Sequence, residues 1–366
     1  MIHLVCPKSP NLLTGGHIYN RAVVSTLQRR IPIRSILTVD LQARVRELSA
    51  RGDPLVLDSL ILTQPELPSL LPFLLAPAPE GERAPLFLMA HFLPSLDPMI
   101  PEACRMERLK LEQRLLAGLD GAFATSRFLR DEMIRRGMAS DRIGICRPGV
   151  ETAVSSRTSR TSGHMHPSTG GSVRLLTVAN WTATKGHLFL LSVLEGLADL
   201  SWTWVIIGDV SSEPSVYREF RRRLRESTLK DRVSVRGVLE PVETRLAFSS
   251  SDLFVCASIM ESYGMVFAES LAAGVPVVGN RVGGVPEAVE DGVTGLLCPP
   301  GDTARWRETL RRLISDPELR TRLSQAAAQR RDAPITWAQT AECFYRHLSR
   351  LMATLKTGRD DGNIRV

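Results

Sequence analysis

The chain has few aromatic residues and no long apolar run, and each shortage excludes a class of protein. Aromatic residues make up 5% of the 366 residues, so the stacking platforms that bind single-stranded nucleic acid are not indicated. No apolar stretch approaches the roughly 18 residues that a membrane-spanning helix needs. The first residues, MIHLVCPKSP, lack the basic region and apolar core of a signal peptide. We therefore expect a cytoplasmic protein without a nucleic-acid partner.

Paired metal ligands are also lacking. The six cysteines are scattered, no C-x-x-C occurs, and no ligand-spaced histidines accompany them. Buried, reduced cysteines in a cytosolic protein are therefore favoured over a disulfide framework or a metal site. There is also no Asp-x-Asp, the pattern that would hold a metal ion between paired acids and a diphosphate. The sequence predicts no metal site and no cofactor.

Basic residues, by contrast, are in excess. The formal net charge is +7, and arginines cluster in predicted helices such as REFRRRLRES. Solvated helix faces are the simpler interpretation of such clusters, although an anionic substrate or an anionic membrane surface would also account for the charge. Charge alone therefore leaves peripheral contact with an anionic membrane open.

Short apolar, β-branched runs alternate with amphipathic helical stretches along both halves of the chain. Runs such as APLFLMAHF and SDLFVCAS show little alternation of polar and apolar residues, which is typical of strands buried on both faces of a parallel sheet. Helices between such strands indicate doubly wound α/β folds. The length allows about two domains. The predicted fold class is therefore α/β, with two doubly wound, Rossmann-like domains.

The two predicted domains are separated by a stretch rich in Ser, Thr and Gly. Residues 1–151 form the N-terminal domain, residues 152–172 a flexible linker, and residues 173–335 the C-terminal domain. Residues 336–356 are predicted to form a helix that crosses back to the N-terminal domain. The polar tail at 357–366 is expected to be disordered.

The stretch MESYGMVFAESLAAGVPVVGN, which starts at residue 260, carries two carboxylates in otherwise apolar surroundings. A helix is predicted to begin near Gly264. Free backbone amides at a helix N-terminus, together with the helix dipole, favour a diphosphate; these amides would be those of Gly264, Met265 and Val266. Glu261 and Glu269 on either side would repel phosphate, so each is expected to accept hydrogen bonds from neutral hydroxyls. This order matches a sugar, a diphosphate and a ribose.

The order of these residues resembles a known family. Glu261-x7-Glu269 with an intervening Tyr-Gly, followed by AAG-P-V, GG-PE and DG-TG-L, is similar to the retaining GT-B glycosyltransferases of family 4. RLLTVANWTATKG resembles the opening of the family's second domain, GAFATSRFLRDEMIRRG the end of its first domain, and TGGHIYNRAVV its N-terminal Gly-Gly loop. The resemblance covers most of residues 1–345 and implies the GT-B architecture, in which two domains face a cleft.

The resemblance implies roles for residues of the second domain. Glu261 would contact hydroxyls of the transferred sugar, Glu269 the ribose hydroxyls, and Lys185 the diphosphate, where an ammonium stabilises a leaving group. Asn180 stands where the family usually has an arginine, so one positive charge is missing. Tyr263, between the two glutamates, is included among the nucleotide-sugar contacts.

Three residues of the first domain also match the family. The resemblance implies that Gly15 and Gly16 let their loop approach the phosphates and the acceptor, and that His91 faces the donor sugar. Without the resemblance, the two glycines fit a plain strand–helix turn equally well. A single histidine after a strand is, taken alone, more often a structural residue.

The predicted activity is metal-independent, retaining glycosyl transfer by a hexosyltransferase, with His91, Glu261 and Lys185 as catalytic candidates. A hexose-type sugar would move from a nucleoside diphosphate sugar, hypothesised to be a UDP or GDP sugar, to a glycan, lipid-linked or small-molecule acceptor. Two alternatives stand beside it. One is a degenerate GT-B protein that binds nucleotide sugar as a sensor or scaffold, and the other is a related GT-B phosphorylase or epimerase. The expected location is cytoplasmic, with peripheral contact at the inner membrane face left open.

Overall fold

The structure, a computed structural model, describes residues 1–7, 14–38, 40–75, 83–151, 171–331 and 334–360. Most of the predicted linker (152–170) and the last six residues of the predicted tail (361–366) lie outside the described residues.

The strands are short, and most are largely buried, as their apolar runs predicted; the exceptions are Ile33–Thr38 and Val233–Val235. In chain order they are β1 (Ile2–Pro7), β2 (Ile33–Thr38), β3 (Leu55–Asp58), β4 (Leu86–Ala90), β5 (Gly121–Ala124), β6 (Ile143–Ile145), β7 (Val173–Val178), β8 (Trp202–Ile207), β9 (Val233–Val235), β10 (Leu253–Cys256), β11 (Val277–Asn280) and β12 (Gly295–Cys298).

Helices connect successive strands. In chain order they are α1 (Gly15–Leu27), α2 (Leu41–Ala50), α3 (Leu67–Leu75), α4 (Glu102–Gly118), α5 (Arg127–Arg135), α6 (His187–Glu195), α7 (Pro214–Glu226), α8 (Pro241–Ser249), α9 (Met265–Ala272), α10 (Val285–Ala288), α11 (Thr303–Ser315), α12 (Pro317–Arg331) and α13 (Trp337–Asp360). Short 3-10 turns occur at Ser59–Thr63, Pro94–Leu96, Ser140–Arg142 and Ala183–Lys185.

The chain divides into two compact units. The first contains Met1–Gly149 and Ile335–Val366, and the second contains Val150–Pro334. Each unit has one six-stranded sheet, with strand order β2-β1-β3-β4-β5-β6 in the first and β9-β8-β7-β10-β11-β12 in the second. All pairings between neighbouring strands are parallel. The prediction of two doubly wound α/β folds is confirmed.

The order of the second sheet is that of a dinucleotide-binding fold, and it reverses direction between β7 and β10. Chain connections leave these two central strands towards opposite edges of the sheet, which opens a crevice at their carboxyl ends. The sheet is covered on both faces by apolar clusters, one of which includes Trp204 and Trp306 and the other Phe254 and Phe267. The core therefore holds β7 and β10 rigidly beneath the loops that follow them.

Helix α13 belongs to the first unit and packs beside α1 on its sheet. Phe344 of α13 stacks on Phe123 of β5, with ring centroids 4.1 Å apart, and Leu348 and Leu351 are buried in the same cluster. The helix continues to Asp360, so residues 357–360, predicted as part of a disordered tail, are helical. Extending an existing helix does not repeat the cost of nucleation, and polar residues without an apolar pattern can therefore continue it.

Within the described parts of the chain, no helix is both long and apolar enough to cross a membrane.

Candidate active site

The loops that follow β7 and β10 lie against each other at the point where the second sheet reverses. The Ile259 amide donates to the Thr184 carbonyl at 2.9 Å. Gly186 has φ +72°, and a Cβ at this position would lie 2.4 Å from the Ala257 carbonyl oxygen. Glycine is thus required by both the backbone conformation and the close approach. Because ligands of such sheets bind at the carboxyl ends of the strands beside the reversal, these loops form the candidate site.

Lys185 and Glu261, which lie in these two loops, are in direct contact. Lys185 Nζ donates to Glu261 Oε1 at 2.6 Å, and the two side chains are 28% and 12% exposed. Burial acts to lower the pKa of Lys185, but the Glu261 carboxylate outweighs it, and the pKa is raised above its usual value. The ammonium is therefore charged at neutral pH, and its present partner is one that an anionic ligand can replace.

Helix α9 begins directly after the Glu261 loop. Gly264 is its N-cap, with φ +84°, a left-handed conformation that glycine adopts readily. The Glu261 carbonyl accepts a hydrogen bond from the Gly284 amide at 2.9 Å, which ties the loop to the segment before α10. Met265 and Val266 are the first residues of α9, and backbone N–H groups in a first turn have no acceptor within the helix. This helix end therefore favours an anion.

Glu269 lies on α9, about 7 Å along the helix axis from Gly264 at 1.5 Å per residue. Its side chain is partly buried. Burial and the negative charge of Glu151 raise the pKa of the Glu269 carboxyl to about 7, although Arg245 opposes the shift. Arg245 is itself paired with Glu151 at 2.7 Å. The charge of the Glu269 carboxylate is thus only weakly stabilised by neighbouring groups. A carboxyl in this state can accept hydrogen bonds from hydroxyl groups of a ligand.

Asn180 and Tyr263 take positions that limit their contact with a ligand. The Asn180 Oδ1 accepts a hydrogen bond from the Asp209 amide at 3.1 Å and so links the ends of β7 and β8, which leaves its Nδ2 group as the donor. Tyr263 is 8% exposed and packs in the apolar cluster around Phe267. Its side chain therefore supports the loop from below, and its predicted contact with a ligand would come from the backbone.

Asn280 is a residue of this site that the sequence analysis missed. Its Nδ2 donates to the carbonyls of Ala257 at 3.0 Å and Ser258 at 3.1 Å, and its Oδ1 accepts from Trp306 Nε1 at 2.8 Å. These three bonds fix the end of β10, from which the Glu261 loop starts. A buried asparagine at the end of the apolar strand VVGN was the available signal, since a polar group there must have partners.

In the first unit, His91 and the two glycines lie close together. Gly15 and Gly16 form the start of α1, which is capped by Thr14, and His91 follows β4. A Cβ at Gly16 would lie 3.0 Å from His91 Cδ2, so the glycine lets α1 approach the imidazole. Residues 8–13, which precede this helix, lie outside the described part of the chain.

His91 ends a hydrogen-bonded chain from Asp58 through Asn20. Asn20 Nδ2 donates to Asp58 Oδ2, and His91 Nε2 lies 2.9 Å from Asn20 Oδ1. A carboxylate only accepts, so the amide is oriented by Asp58, and its oxygen must receive the proton of His91. Burial lowers the pKa of His91, with Asp58 opposing, and the ring is neutral at neutral pH. Nε2 therefore carries the proton, and Nδ1 is the acceptor.

We expect Asp58→Asn to reverse the tautomer of His91. Asp58 Oδ1 accepts from the Leu60 amide at 2.7 Å, so the amide side chain of the variant would keep its oxygen there and turn its NH2 group towards Asn20. Asn20 would then flip and donate to His91 Nε2, which must move the proton to Nδ1. The 15N chemical shifts of the two ring nitrogens should exchange their pattern, and turnover should fall about tenfold, the equivalent of one hydrogen bond.

The matched control for this variant is Asp53→Asn. Asp53 contacts a different histidine, His3 at 2.8 Å, in the same unit. The Asp53→Asn substitution should change neither the 15N chemical shifts of the His91 ring nor the turnover. An Asp58→Asn protein with an unchanged His91 tautomer would contradict the proposed orientation of Asn20.

The structure thus brings the predicted residues together in two groups, one in each unit. The group in the second unit contains Lys185, Glu261, Gly264 and Glu269, and that in the first contains His91 with Gly15 and Gly16. Among the residues that the structure describes, no group of three or more His, Cys, Asp or Glu side chains could hold a metal ion.

Known proteins resemble this chain in sequence and in fold. The family model for glycosyl transferases group 1 matches residues 165–330, which include Lys185 and both glutamates. In fold, the chain is similar to sucrose-phosphate synthase from Thermosynechococcus elongatus, with a TM-score of 0.75 and 17% identity over 97% of this chain and 100% of that chain. Anabaena HepE in complex with UDP and glucose gives a TM-score of 0.70 and 15% identity over 94% and 99%. The predicted GT-B fold is confirmed.

Several relatives carry the name D-inositol 3-phosphate glycosyltransferase, and two of them illustrate the similarity. The protein of Corynebacterium efficiens is 30% identical over 297 residues, which are 77% of this chain and 68% of the relative. The protein of Pseudarthrobacter chlorophenolicus is 30% identical over 238 residues, 63% of this chain and 56% of the relative. The resemblance to GT-B glycosyltransferases is confirmed, and the chain belongs to the glycosyl transferases group 1 family of enzymes.

Proposed function

We propose that this protein is a retaining, metal-independent hexosyltransferase that uses a nucleoside diphosphate sugar as its donor. One observation carries the proposal: the Lys185–Glu261 contact of 2.6 Å stands at the N-terminus of α9, with the Glu269 carboxyl further along the same helix. A cation and free amides for a diphosphate thus lie between two acceptors for hydroxyls. That order of groups complements a sugar, a diphosphate and a ribose.

Each residue has a distinct task in donor binding. Lys185 exchanges Glu261 for the diphosphate, and the α9 amides of Met265 and Val266 donate to the same phosphates. Glu261, released from the ammonium, accepts hydrogen bonds from hydroxyls of the transferred sugar. Glu269 accepts from the ribose hydroxyls. Asn180 contributes a neutral donor through Nδ2, so Lys185 supplies most of the positive charge.

The transfer step breaks the bond between the anomeric carbon and the diphosphate oxygen and forms the bond to the acceptor oxygen on the same face of the sugar. The proton of the acceptor hydroxyl passes to the leaving diphosphate oxygen, which keeps the charges balanced. Lys185 and the helix amides stabilise the negative charge that develops on that oxygen. We further propose that His91, a neutral acceptor at Nδ1, receives a hydrogen bond from a hydroxyl of the sugar. Gly15 and Gly16 let their loop come close to the phosphates and the acceptor.

The relatives guide the choice of substrates. HepE is named in complex with UDP and glucose, and the two curated relatives are named for D-inositol 3-phosphate. We propose a UDP sugar as the first donor to test, with a GDP sugar as the second. A small anionic acceptor such as D-inositol 3-phosphate agrees with the net charge of +7. Glycans and lipid-linked compounds are the other acceptors to screen. Peripheral contact with an anionic membrane is a separate prediction.

The proposal is tested by calorimetry followed by turnover. UDP, GDP and ADP are titrated into the protein with EDTA present, and the nucleotide that binds selects the donor sugars for an acceptor screen. We expect micromolar binding of one nucleotide without metal, and transfer that EDTA does not reduce. Turnover that depends on inorganic phosphate would instead identify a phosphorylase. Conversion of the donor into an epimeric nucleotide sugar, without an acceptor, would identify an epimerase.

A second candidate, a nucleotide-sugar sensor without catalysis, is favoured by one observation. Asn180 has its Oδ1 committed to the Asp209 amide and brings no charge to the leaving group. Tight donor binding without transfer to any acceptor, and without slow donor hydrolysis, would support this candidate over the enzyme.

Donor affinity should rise with pH because of Glu269. Its pKa of about 7 in the free protein means that the neutral acid predominates at pH 6 and the carboxylate at pH 8. Ribose hydroxyls donate to the carboxylate, so the ionised fraction sets the affinity, and we expect Kd to fall about tenfold from pH 6 to pH 8. A nucleoside diphosphate sugar is the ligand to use, since neither of its phosphates titrates in this range. Glu269→Gln should remove the slope; a slope that survives would assign the titration to another group.

A further inference from the structure

Two cysteines of the first unit lie next to each other. Tyr19 lies between Cys146 and His91: its hydroxyl donates to the Cys146 carbonyl at 2.9 Å, and its ring centroid is 5.0 Å from that of His91. Cys146 Sγ donates to Cys343 Sγ at 3.5 Å, although the two residues are 197 positions apart in sequence. Cys146 directly follows β6 and is buried, whereas Cys343 on α13 is partly exposed. An S–S bond is about 2.05 Å long, so the sulfurs need to approach by only about 1.5 Å.

The surroundings of the pair favour reaction at Cys343. The Cys343 thiol donates a hydrogen bond to the Ile145 carbonyl at 3.1 Å. A Cβ at Gly144 would lie 2.5 Å from the ring of His347, so the thiol and the imidazole lie over the same strand. The hydrogen bond from Cys146 and, after it, that of His347 lower the pKa of Cys343, and burial opposes them. A thiolate that is partly exposed is the reactive form of cysteine.

The pair also lies where the chain leaves and re-enters the first unit. Cys146 comes three residues before Gly149, the last residue of the first segment, and Cys343 comes eight residues after Ile335, the first residue of the second. The two segments run side by side: Thr340 Oγ1 donates to the Arg147 carbonyl at 2.8 Å. A disulfide here would join the segment after β6 to α13, and so hold α13 covalently against the sheet of the first unit.

We propose that Cys146 and Cys343 form a redox-sensitive dithiol that closes to a disulfide on exposure to a peroxide. The Cys343 thiolate attacks one oxygen of hydrogen peroxide, the O–O bond breaks, and a sulfenic acid and water result once protons are taken up. The Cys146 sulfur then attacks the Cys343 sulfur and displaces hydroxide, which takes the thiol proton and leaves as water. Cys343 is the attacking residue and Cys146 the resolving one. The reaction at this pair does not use any of the residues proposed for glycosyl transfer.

The test uses the reduced full-length protein treated with a few equivalents of hydrogen peroxide and then denatured and alkylated. Before alkylation, the mass of the oxidised protein should be about 2 Da lower, since two thiol hydrogens are lost. Alkylated thiols should fall from six to four, and digestion should release a Cys146–Cys343 peptide. A non-reducing gel should show faster migration, because the disulfide closes a loop of 197 positions. The thermal midpoint of the oxidised protein should rise by about 5 °C, and dithiothreitol should reverse all of these changes.

Three variants assign the roles. Cys146→Ser should leave a sulfenic acid on Cys343 that dimedone traps, and Cys343→Ser should show neither dimedone adduct nor crosslink. Cys104→Ser, which removes an exposed thiol, should form the disulfide like the parent protein. Six alkylated thiols after peroxide, a crosslink that persists in Cys343→Ser, or oxidation of Cys343 to the sulfinic acid without a crosslink would each overturn the proposal. Circular dichroism of each reduced variant separates these results from misfolding.

Discussion

Replacing Lys185 with alanine is expected to lower kcat by about 10²–10³-fold, the effect of removing one well-oriented group that stabilises charge in the transition state. Lys185 is the cation at the reversal point of the second sheet, and its Nζ lies 2.6 Å from Glu261. Because Asn180 is neutral, no neighbouring arginine at that position shares the task. The donor dissociation constant should rise less than kcat falls, since charge on the leaving oxygen is greatest in the transition state.

The measurement is steady-state turnover with donor and acceptor both varied. Lys230→Ala, which removes an exposed lysine of the same unit, is the matched control and should be unchanged. Lys185→Arg keeps the charge but moves it, so it should recover part of kcat. A Lys185→Ala enzyme within twofold of the parent would show that the leaving group is stabilised elsewhere, and the α9 amides would then be the main candidates.

Replacing Glu269 with alanine is expected to weaken nucleotide binding by about 10²-fold or more. Two hydroxyls of one ribose would donate to this carboxylate, and hydrogen bonds to a charged acceptor contribute about 1.5–3 kcal/mol each. The carboxyl is poorly compensated in the free protein, as its pKa of about 7 indicates, so its truncation should cost the fold little. The loss should therefore appear in binding and not in thermal stability.

A pair of nucleotides makes this prediction specific. Calorimetry compares UDP with its 2′,3′-dideoxy analogue on the parent protein and on Glu269→Ala. The substitution should weaken the binding of UDP and leave the affinity for the analogue unchanged. This difference isolates the contact between the carboxylate and the ribose hydroxyls. Glu195→Ala, an exposed glutamate on α6, is the control. Equal losses for both nucleotides would indicate that Glu269 acts on the shape of the site and not on the ribose.

Much of the fold was predictable because its signals are local. The apolar runs at β4 and β10 are unalternating and too short for helices, so a parallel buried sheet was the only arrangement that hides both faces. Gly264 marked the start of α9 because a helix that begins from a left-handed residue needs glycine. The family resemblance then assigned Glu261 and Glu269. The end of α13 was not predictable, since its last residues are polar and follow the helix without a pattern of their own.

The partners of the site residues were not predictable in the same way. Asn280 fixes the end of β10 from a neighbouring strand. Asp58 orients His91 through Asn20, although Asn20 is 38 positions from Asp58 and 71 positions from His91 in the sequence. Nothing in the local sequence distinguishes such residues from others of their type. Their roles depend on which strand ends meet at one edge of the sheet.

The sequence by itself determined the fold class, the family and the identity of the candidate groups, because apolar periodicity and motif order depend on neighbours along the chain. Only the tertiary structure decided that Lys185 pairs with Glu261, that Asn180 is committed to the end of β8, and that Cys146 faces Cys343. These contacts join segments between 29 and 197 positions apart. Hydrogen-bond and ion-pair energies depend on distances of a few ångströms, and parallel strand order, not sequence spacing, sets those distances.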